Sequence, residues 1–397
     1  MLNRRNFLFG GTLLIGGVFI HSRGIRFPRL GLTPTPLENH HSKGGAEFYF
    51  DGLIPTPTDG SSVSLRAHKP EVSMRIAGST DAVSIKINNI CPSARLKVSA
   101  TDRTKIEETQ TGINRKITIK QLSKGVLELE WKIPESKEIT FAAIGDTGGN
   151  TELQWCLQRA KDLGANFLLH LGDLNYGNGD YDRAIHYIRN SPIPCYVSIG
   201  NHDFNDSGLV YEKFRSEIGP LNSVFDIAGT RFINFDTGAD FLPVNTGLRG
   251  DFFDTLEPEG SKSNVYFTHR PLIDPRPGED HVVGSKSEAN WIVEMIRKSG
   301  QGPLLTGHVH HSAELNILGV KQYTAGEGLG HEDVLLRRKV SQMLLGKATT
   351  NQALKLSWAP INMPWESHKS HTHELKLKKR GDTELLKWYR QQINTNI

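Results

Sequence analysis

The chain has 397 residues, of which 37% are hydrophobic and 23% charged, a composition typical of a globular protein with room for two domains. The formal net charge is +4, but Arg4, Arg5 and Arg23 supply three of these charges within residues 1–24, which hold no acid. The rest of the chain is therefore nearly neutral, and nothing in the charge indicates nucleic acid as a partner.

Residues 1–24 have the features of an export signal. Arg4 and Arg5 precede an apolar stretch from Phe7 to Ile20 that is too short and too rich in glycine for a stable membrane span. Paired arginines are typical of twin-arginine export, so we expect an exported protein, periplasmic or extracellular, with the twin-arginine machinery as a partner. No A-x-A cleavage site follows, which leaves an uncleaved membrane tether as an alternative.

The next two segments contain no combination of residues that indicates chemistry. Residues 25–45 are rich in proline, threonine and glycine, which predicts a linker. Residues 46–136 show short runs that alternate between apolar and polar residues, such as AVSIKIN and VLELEWKI. This period of two predicts antiparallel strands and a small all-β sandwich domain. The three cysteines, Cys91, Cys156 and Cys195, lack the spacing of metal ligands and are predicted to lie in the core, with at most one disulfide.

Residues 138–397 follow a different pattern. Five short apolar runs end in polar residues, in EITFAAIGD, NFLLHLGD, CYVSIGNHD, NVYFTHR and PLLTGHVHH. TELQWCLQRAKDLG and SKSEANWIVEMIRKSG have helical patterns. Strands that alternate with helices predict an α/β domain, in which ligands gather at the carboxyl ends of strands. Farther on, DVLLRRKVSQMLL predicts an amphipathic helix, and ELKLKKRGDTELLKWY predicts a terminal hairpin.

The residues that can carry chemistry fall at the ends of these runs. A single Gly-Asp pair is most often a structural turn, and a buried histidine such as His170 or His186 is more often a hydrogen-bonded core or helix residue than a ligand. The ordered set is more informative than any member, because all of its side chains are predicted at one end of the strands. The set consists of Asp146, Asp173, Tyr176, Asn201, His202, His269, His308 and His310.

The order GDxG, GDxxY, GNHD, a single histidine after a strand and GHxH resembles the purple acid phosphatases, a branch of the calcineurin-like metallophosphoesterases. The part that carries these motifs covers about residues 138–330. The resemblance implies an α/β fold, a metallophosphoesterase β-sandwich flanked by helices. The all-β region before it is similar in placement to the fibronectin-like domain of larger members.

The resemblance also implies a site for two metal ions. The first metal would be held by Asp146, Asp173, Tyr176 and His310, and the second by Asp173 (as a bridge), Asn201, His269 and His308. Carboxylate, amide oxygen and imidazole ligands suit iron, zinc or manganese better than magnesium or calcium alone.

Tyr176 bears on the choice of metal. Most relatives in the wider superfamily carry GDxH, whereas this chain has Gly148 in place of that histidine, with Tyr176 as the replacement ligand. A ferric ion beside a divalent one, less two carboxylates and a phenolate, leaves a charge of about +2, the same as two divalent ions with histidine. We therefore expect Fe³⁺ at the first site and Zn²⁺, Mn²⁺ or Fe²⁺ at the second. The alternative is that Tyr176 only packs in its loop.

These residues predict a metal-dependent phosphoric ester hydrolase of the acid phosphatase type. Phosphomonoesters would be hydrolysed to inorganic phosphate by in-line attack of metal-bound hydroxide, with His202 as the general acid. The NH₂ group of Asn201 is available to contact phosphate while its oxygen binds metal. Arg270 and His281 are further candidates for substrate binding, and the alternative for each is an ordinary structural or surface role.

Two other functions stay open at this point. The same two-metal core supports a phosphodiesterase acting on cyclic nucleotides, nucleotide-sugars or glycerophosphodiesters, because variable loops select the substrate. A catalytically inactive metal-binding protein is the third interpretation, and the presence of every expected ligand and of His202 argues against it. The histidines His368, His371 and His373 have ligand-like spacing but are interpreted as solvated.

Overall fold

The computed structural model describes residues 40–363, with gaps at 44, 58–61, 81, 101–103, 135–137, 204–210, 240–241, 257–262, 330–340 and 351, and residues 378–387 without 382 and 385. The predicted export signal and the tract with His368 lie outside the described residues. So does the predicted linker as far as residue 39. The described residues all belong to one compact unit, Leu37–Ile397.

The N-terminal part of this unit is built from ten strands. They are β1 (His40–Lys43), β2 (Ala46–Asp51), β3 (Leu53–Pro55), β4 (Val63–Ala67), β5 (Val72–Thr80), β6 (Val83–Asn88), β7 (Arg95–Ala100), β8 (Ile106–Thr111), β9 (Asn114–Ile119) and β10 (Leu122–Lys132). They form two five-stranded sheets, in the orders β1-β2-β5-β10-β7 and β3-β4-β6-β9-β8. Every pair is antiparallel except β4 with β6.

These two sheets, here called the N-terminal sheets, share one core. In β6, Val83, Ile85 and Ile87 are buried while Lys86 faces solvent, as the alternation predicts. Such inward-facing residues of both sheets form a single cluster around the fully buried Trp131. The arrangement is a sandwich of two sheets, and its resemblance to a fibronectin-like domain stays a prediction. Strand β1 begins at His40, inside the predicted linker, because residues 40–43 pair with β2.

Among its described residues, the C-terminal part contains eleven strands and five α-helices of at least seven residues, which confirms the mixed α/β class. The strands are β11 (Glu138–Ile144), β12 (Phe167–His170), β13 (Cys195–Val197), β14 (Ser223–Ile227), β15 (Thr230–Asn234), β16 (Ser263–Phe267), β17 (Leu304–Thr306), β18 (Ser312–Ile317), β19 (Val320–Ala325), β20 (Gln342–Thr349) and β21 (Gln352–Pro360). The helices are α1 (Thr151–Asp162), α2 (Asp180–Arg189), α3 (Tyr211–Glu217), α4 (Gly247–Asp254) and α5 (Lys286–Ser299).

Two further sheets, here called the C-terminal sheets, pack face to face in this part. Their strand orders are β13-β12-β11-β20-β21 and β14-β15-β16-β17-β19-β18. Phe141 and Phe167 from one sheet meet Phe232 from the other, with ring centroids 5.1 and 5.5 Å from that of Phe232. Helices α1 and α2 cover the outer side of the first sheet, and α5 covers the second. Parallel pairing of β11 with β12 and β12 with β13, and of β15, β16 and β17 in turn, brings their carboxyl ends to common edges.

Helices α1 and α5 confirm the two helices predicted from TELQWCLQRAKDLG and SKSEANWIVEMIRKSG. The structure corrects two other predictions. In the segment predicted as an amphipathic helix, residues 333–340 lie outside the described residues, and residues 342–345 begin strand β20, because Gln342–Thr349 pairs with β11 on one side and β21 on the other. Of the described residues in the predicted terminal hairpin, 378–380, 383–384 and 386–387 are helical, and Gly381 lies in a turn.

All three cysteines are buried, and none of them forms a disulfide. Within the described part of the chain, no helix is both long and apolar enough to cross a membrane.

Candidate metal centre

The predicted site residues lie just beyond the ends of five strands of the C-terminal sheets. Asp146 follows β11, Asp173 follows β12, Asn201 follows β13, and His269 and His308 follow β16 and β17. Asp146, Asp173 and His308 have positive φ values of 61°, 65° and 66°, which turn the chain sharply at each strand end.

Close approach of two of these turns requires glycine. Gly172 has a φ of 96°, and a Cβ atom there would lie 2.8 Å from the Cα atom of Gly200. The glycines of GDxxY and GNHD therefore let the two loops touch, which brings Asp173 beside Asn201.

The first predicted ligand group converges on the hydroxyl of Tyr176. This oxygen lies 3.0 Å from Oδ2 of Asp173, 3.3 Å from Oδ1 of Asp146 and 3.3 Å from Nε2 of His310. Nε2 of His310 is in turn 3.5 Å from Oδ1 of Asp146. Four potential ligand atoms from three loops thus lie close together.

The second predicted group lies on the other side of Asp173. Potential ligand atoms of Asp173, His269 and His308 all lie within 4.8 Å of one another. Nε2 of His269 is 2.7 Å from Oδ1 of Asn201 and 3.4 Å from Oδ1 of Asp173. The predicted ligands of the second metal are therefore also brought together.

The donor chemistry of the second group fits a cation. Nδ1 of His269 lies 2.8 Å from the carbonyl oxygen of Leu171, so it carries the proton and donates, which leaves the Nε2 lone pair facing Asn201. Burial lowers the pKa of His269 to about 4, which favours this neutral ring. A lone pair and an amide oxygen this close repel each other unless a positive charge lies between them.

Asp173 is placed to serve both groups. Its Oδ2 faces the hydroxyl of Tyr176, while its Oδ1 faces His269 and accepts a 2.8 Å hydrogen bond from the main-chain N–H of His202. Asp146 and Asp173 are both buried, and burial raises the pKa of each carboxyl. Metal ions favour ionised carboxylates, so bound cations would offset this burial cost.

Tyr176 and Gly148 are complementary in shape. A Cβ atom at Gly148, whose φ is 59°, would lie 3.0 Å from Cδ2 of Tyr176. The ring of Tyr176 thus takes the space into which a side chain at position 148 would project. The main-chain N–H of Tyr176 donates a 3.0 Å hydrogen bond to Oδ2 of the buried Asp180. The other carboxylate oxygen of Asp180 accepts a hydrogen bond from the side chain of Asn150. Sequence reasoning missed Asp180, because an acidic residue in the first turn of a helix is ordinary.

His202 lies at the exposed rim of the site, in the 3₁₀ turn Asn201–Asp203. Its ring centroid is 4.6 Å from that of Tyr176. The neighbouring Asp203 is buried and accepts hydrogen bonds from the main-chain N–H groups of Asp173, Leu174 and Gly200. Burial and the Asp173 carboxylate raise the pKa of Asp203 to about 8, against these three donors. The described contacts of Asp203 therefore fix the turn between the two loops.

Arg270 and His281 both lie beside the second ligand group. Nη1 of Arg270 is 3.2 Å from Nε2 of His308, and the ring of His281 is 5.8 Å from the ring of His308. Asp274 accepts the main-chain N–H of His281 at 3.1 Å and pairs with Arg276, which holds this loop in place. Sequence reasoning did not single out Asp274, since nothing in the sequence joins it to His281.

His170 is a structural residue of the edge. Its Nε2 lies 2.8 Å from the hydroxyl of Thr147, and its Nδ1 accepts the N–H of Gly172. Burial lowers the pKa of His170 to about 3, so the ring is neutral. It ties the Asp146 and Asp173 loops together, as expected for a hydrogen-bonded core histidine.

The chain belongs to the calcineurin-like phosphoesterase family, whose model matches residues 139–338. This family normally binds two metal ions, and membership supports a phosphoric ester hydrolase. The purple acid phosphatase subtype stays a prediction.

Three solved structures are similar to part of this chain. GAP50, the anchor in the inner membrane complex of Plasmodium, is 12% identical, with 57% of this chain and 86% of that chain covered and a TM-score of 0.44. A dimetal phosphatase from Danio rerio is 12% identical, with 56% and 96% covered and a TM-score of 0.40. PhoD is 12% identical, with 77% and 88% covered and a TM-score of 0.41. These likenesses are too distant to transfer an activity, and no curated protein matches the sequence.

Proposed function

We propose that the protein is an exported phosphatase that hydrolyses phosphomonoesters to inorganic phosphate at a two-metal site. The observation that carries the proposal is the position of Asp173. One of its oxygens faces the Tyr176 group and the other faces the His269 group, so one carboxylate serves two ligand sets. Together with family membership, this arrangement favours a metal-dependent phosphoesterase over a binding protein.

When bound, two metal ions would supply positive charge to a phosphoryl group and lower the pKa of a bound water. Asp146, Tyr176 and His310 would hold the first ion, and Asn201, His269 and His308 the second, with Asp173 shared. The buried Asp203 and His170 keep the loops that carry these ligands at fixed separation. Such a fixed arrangement favours catalysis because little reorganisation is needed.

The groups around the ligands complete the proposed site. His202 is exposed beside Asn201, where it can give a proton to the leaving oxygen. The guanidinium of Arg270 lies beside His308, and its planar set of donors suits a phosphate dianion. His281 faces the same side from a loop fixed by Asp274. We therefore favour a phosphomonoester, which carries one more negative charge than a diester.

The experiment is a comparison of hydrolysis rates on an aryl phosphate and a bis-aryl phosphate with the same leaving group. A monoesterase predicts faster turnover of the aryl phosphate, and Arg270→Ala should reduce that preference. Lys321→Ala, which removes an exposed cation paired with Glu314, is the matched control. Faster turnover of the diester would replace the proposal with a phosphodiesterase, and no turnover of either would contradict both.

We further propose that the first ion is ferric, with Zn²⁺, Mn²⁺ or Fe²⁺ as the second. The support is the close fit between Tyr176 and Gly148, which leaves a phenol as a ligand where relatives with GDxH have an imidazole. The visible absorption spectrum of the oxidised protein tests this. A charge-transfer band that disappears in Tyr176→Phe is the expected result, whereas a colourless protein that retains two metals would assign two divalent ions.

Export is a separate part of the proposal and rests on Arg4 and Arg5 before the apolar stretch Phe7 to Ile20. Replacement of both arginines by lysine should leave the protein inside the cell. Unchanged export of that variant would exclude the twin-arginine route.

A further inference from the structure

The N-terminal and C-terminal sheets meet at a buried arginine. Arg66, at the end of β4, is 2% exposed and is surrounded by neutral acceptors. Its Nη2 donates to the carbonyl of Cys195 at 2.7 Å and its Nε to the carbonyl of Ile218 at 2.9 Å. The third described hydrogen bond goes from Nη1 to the side chain of Asn88, at 3.1 Å. Two of the three acceptors therefore belong to the C-terminal part of the chain.

The acceptors sit at the ends of helices and of a strand. Ile218 directly follows α3, and Asn88 donates a 2.8 Å hydrogen bond to the carbonyl of Arg189, the last residue of α2. The last carbonyls of a helix have no partner inside it and carry partial negative charge. The guanidinium of Arg66 thus donates to a carbonyl at the C-terminal end of α3, and the side-chain amide of Asn88 donates to one at the C-terminal end of α2.

Asn89 continues this contact onto β13. It has a φ of 69°, is fully buried, and pairs with the backbone of Cys195. The N–H of Cys195 donates to Oδ1 of Asn89 at 2.8 Å, and Nδ2 of Asn89 donates back to the carbonyl of Cys195 at 3.1 Å. The side-chain amide therefore acts as a short partner for β13, whose chain leads directly to Asn201 and His202.

Separation of the N-terminal and C-terminal parts would break the hydrogen bonds that Arg66, Asn88 and Asn89 make across the contact. The desolvation of a buried guanidinium is offset only when its donors are satisfied, and here the acceptors come largely from the other part of the chain. Burial lowers the pKa of Arg66 to about 10, so it stays charged at neutral pH. When the two parts separate, water would have to replace these partners for the guanidinium, the side-chain amides and the two helix ends.

We propose that Arg66, Asn88 and Asn89, here called the Arg66 surface, bind the C-terminal ends of α2 and α3 and the start of β13, and that this contact makes the N-terminal and C-terminal sheets one cooperative folding unit. The partner of the Arg66 surface in the same chain consists of Arg189, Cys195 and Ile218. The N-terminal sheets then act as a permanent support beneath the edge that carries Asn201. This inference stands independently of the substrate.

The first experiment uses the full wild-type chain. Hydrogen exchange is measured by mass spectrometry across a denaturant titration, with peptides from β10 and from residues 193–199 as the two probes. A cooperative unit predicts one shared midpoint for both peptides. Two separate midpoints would overturn the proposal, even if no variant can be purified.

The second experiment repeats the titration with Arg66→Gln and with Arg115→Gln as the matched control. Arg115 is also 2% exposed and bonds carbonyls, those of Cys91 and Gly112, but both lie within the N-terminal sheets. Arg66→Gln should separate the two midpoints, whereas Arg115→Gln should lower one shared midpoint. A single shared midpoint in Arg66→Gln, or equal separation in both variants, would contradict the proposal. Asn89→Ala serves as the milder variant if Arg66→Gln does not fold.

Discussion

The N-terminal and C-terminal sheets are built from similar strands, but only the C-terminal sheets bring the candidate ligands together. Both bury aromatic and branched residues between facing sheets, around Trp131 in one case and Phe232 in the other. In the N-terminal sheets almost every pair is antiparallel, so successive strands end at opposite edges. In the C-terminal sheets the central strands are parallel, and Asp146, Asp173 and Asn201 follow three neighbouring carboxyl ends. The direction of the strands, more than their composition, decides which region can assemble a site.

Buried polar groups also have different roles in the two regions. The parallel edge holds buried carboxylates and histidines whose mutual positions serve chemistry and oppose stability. In the N-terminal sheets, buried polar groups such as Arg66 and Arg115 donate hydrogen bonds to backbone carbonyls. Substitutions at the edge should therefore change metal binding and rate, and substitutions in the N-terminal sheets should change stability.

The largest effect is expected for Asp173→Asn. Loss of the shared carboxylate should remove both metals and abolish hydrolysis, because each ligand group loses a charged member. The midpoint of unfolding of the metal-free protein should stay equal or rise, since a buried charge is gone. Metal analysis, a rate assay and denaturant unfolding measure these changes. Asp226→Asn, at an exposed ion pair with Arg231, is the control, and retention of both metals by Asp173→Asn would show that Asp173 is not the ligand that the two metals share.

His202→Ala should reduce turnover of substrates with poor leaving groups by about 10²–10⁴, the usual contribution of a general acid. Both metals should be retained, because His202 is not among the predicted ligands. The rate on substrates with good leaving groups should fall much less. His186→Ala, at an exposed histidine of α2, is the matched control. Equal rates for wild type and His202→Ala would remove His202 from the mechanism.

Asp180→Asn should weaken the first metal by about 10–100-fold, as is typical when a group that orients a ligand is changed. The carboxylate of Asp180 holds the main-chain N–H of Tyr176, and the second group does not contact it in the described structure. Metal titration should therefore show a weaker first site and an unchanged second. Asp182→Asn, exposed on the same helix, is the control. Equal weakening of both sites would show that Asp180 supports the whole edge.

The smallest effect concerns acid pH and His68 in the N-terminal sheets. Burial lowers the pKa of His68 from 6.5 to about 4, so between these values the unfolded chain binds more protons than the folded one. Stability should therefore fall as pH drops from 6.5 toward 4, with His68 contributing up to ~1.4 kcal/mol per pH unit. His68→Asn should flatten this slope in urea unfolding, with the rate of hydrolysis at neutral pH unchanged. His170, with a pKa lowered to about 3, supplies part of the slope that remains.

The parallel edge was predictable because its signals are local. A short apolar run that ends in Gly-Asp or Gly-Asn predicts both a strand and the position of a side chain at its carboxyl end. The same local reasoning predicted α1 and α5, whose apolar periodicity and caps lie within the segments themselves. The mixed α/β class follows from the alternation of these two patterns.

Residues that depend on distant partners were not predictable. Residues 342–345 continue an amphipathic helical pattern, yet pairing of β20 with β11, some two hundred residues earlier, makes them a strand. Asp203 and Asp180 are ordinary acidic residues until the loops of other strands place main-chain donors against them. Arg66 is one of many basic residues in the sequence, and only the fold shows which carbonyls it meets.

The fit between Gly148 and Tyr176 limits how this site can change over evolution. Any L-residue at position 148 would have to adopt a φ near 59° and would meet the tyrosine ring at 3.0 Å. A histidine at 148 would therefore combine a left-handed backbone with a contact that requires the tyrosine ring to shift by a few tenths of an ångström. A substitution at either position thus disturbs the other, so selection for metal binding would preserve the pair that a lineage already has.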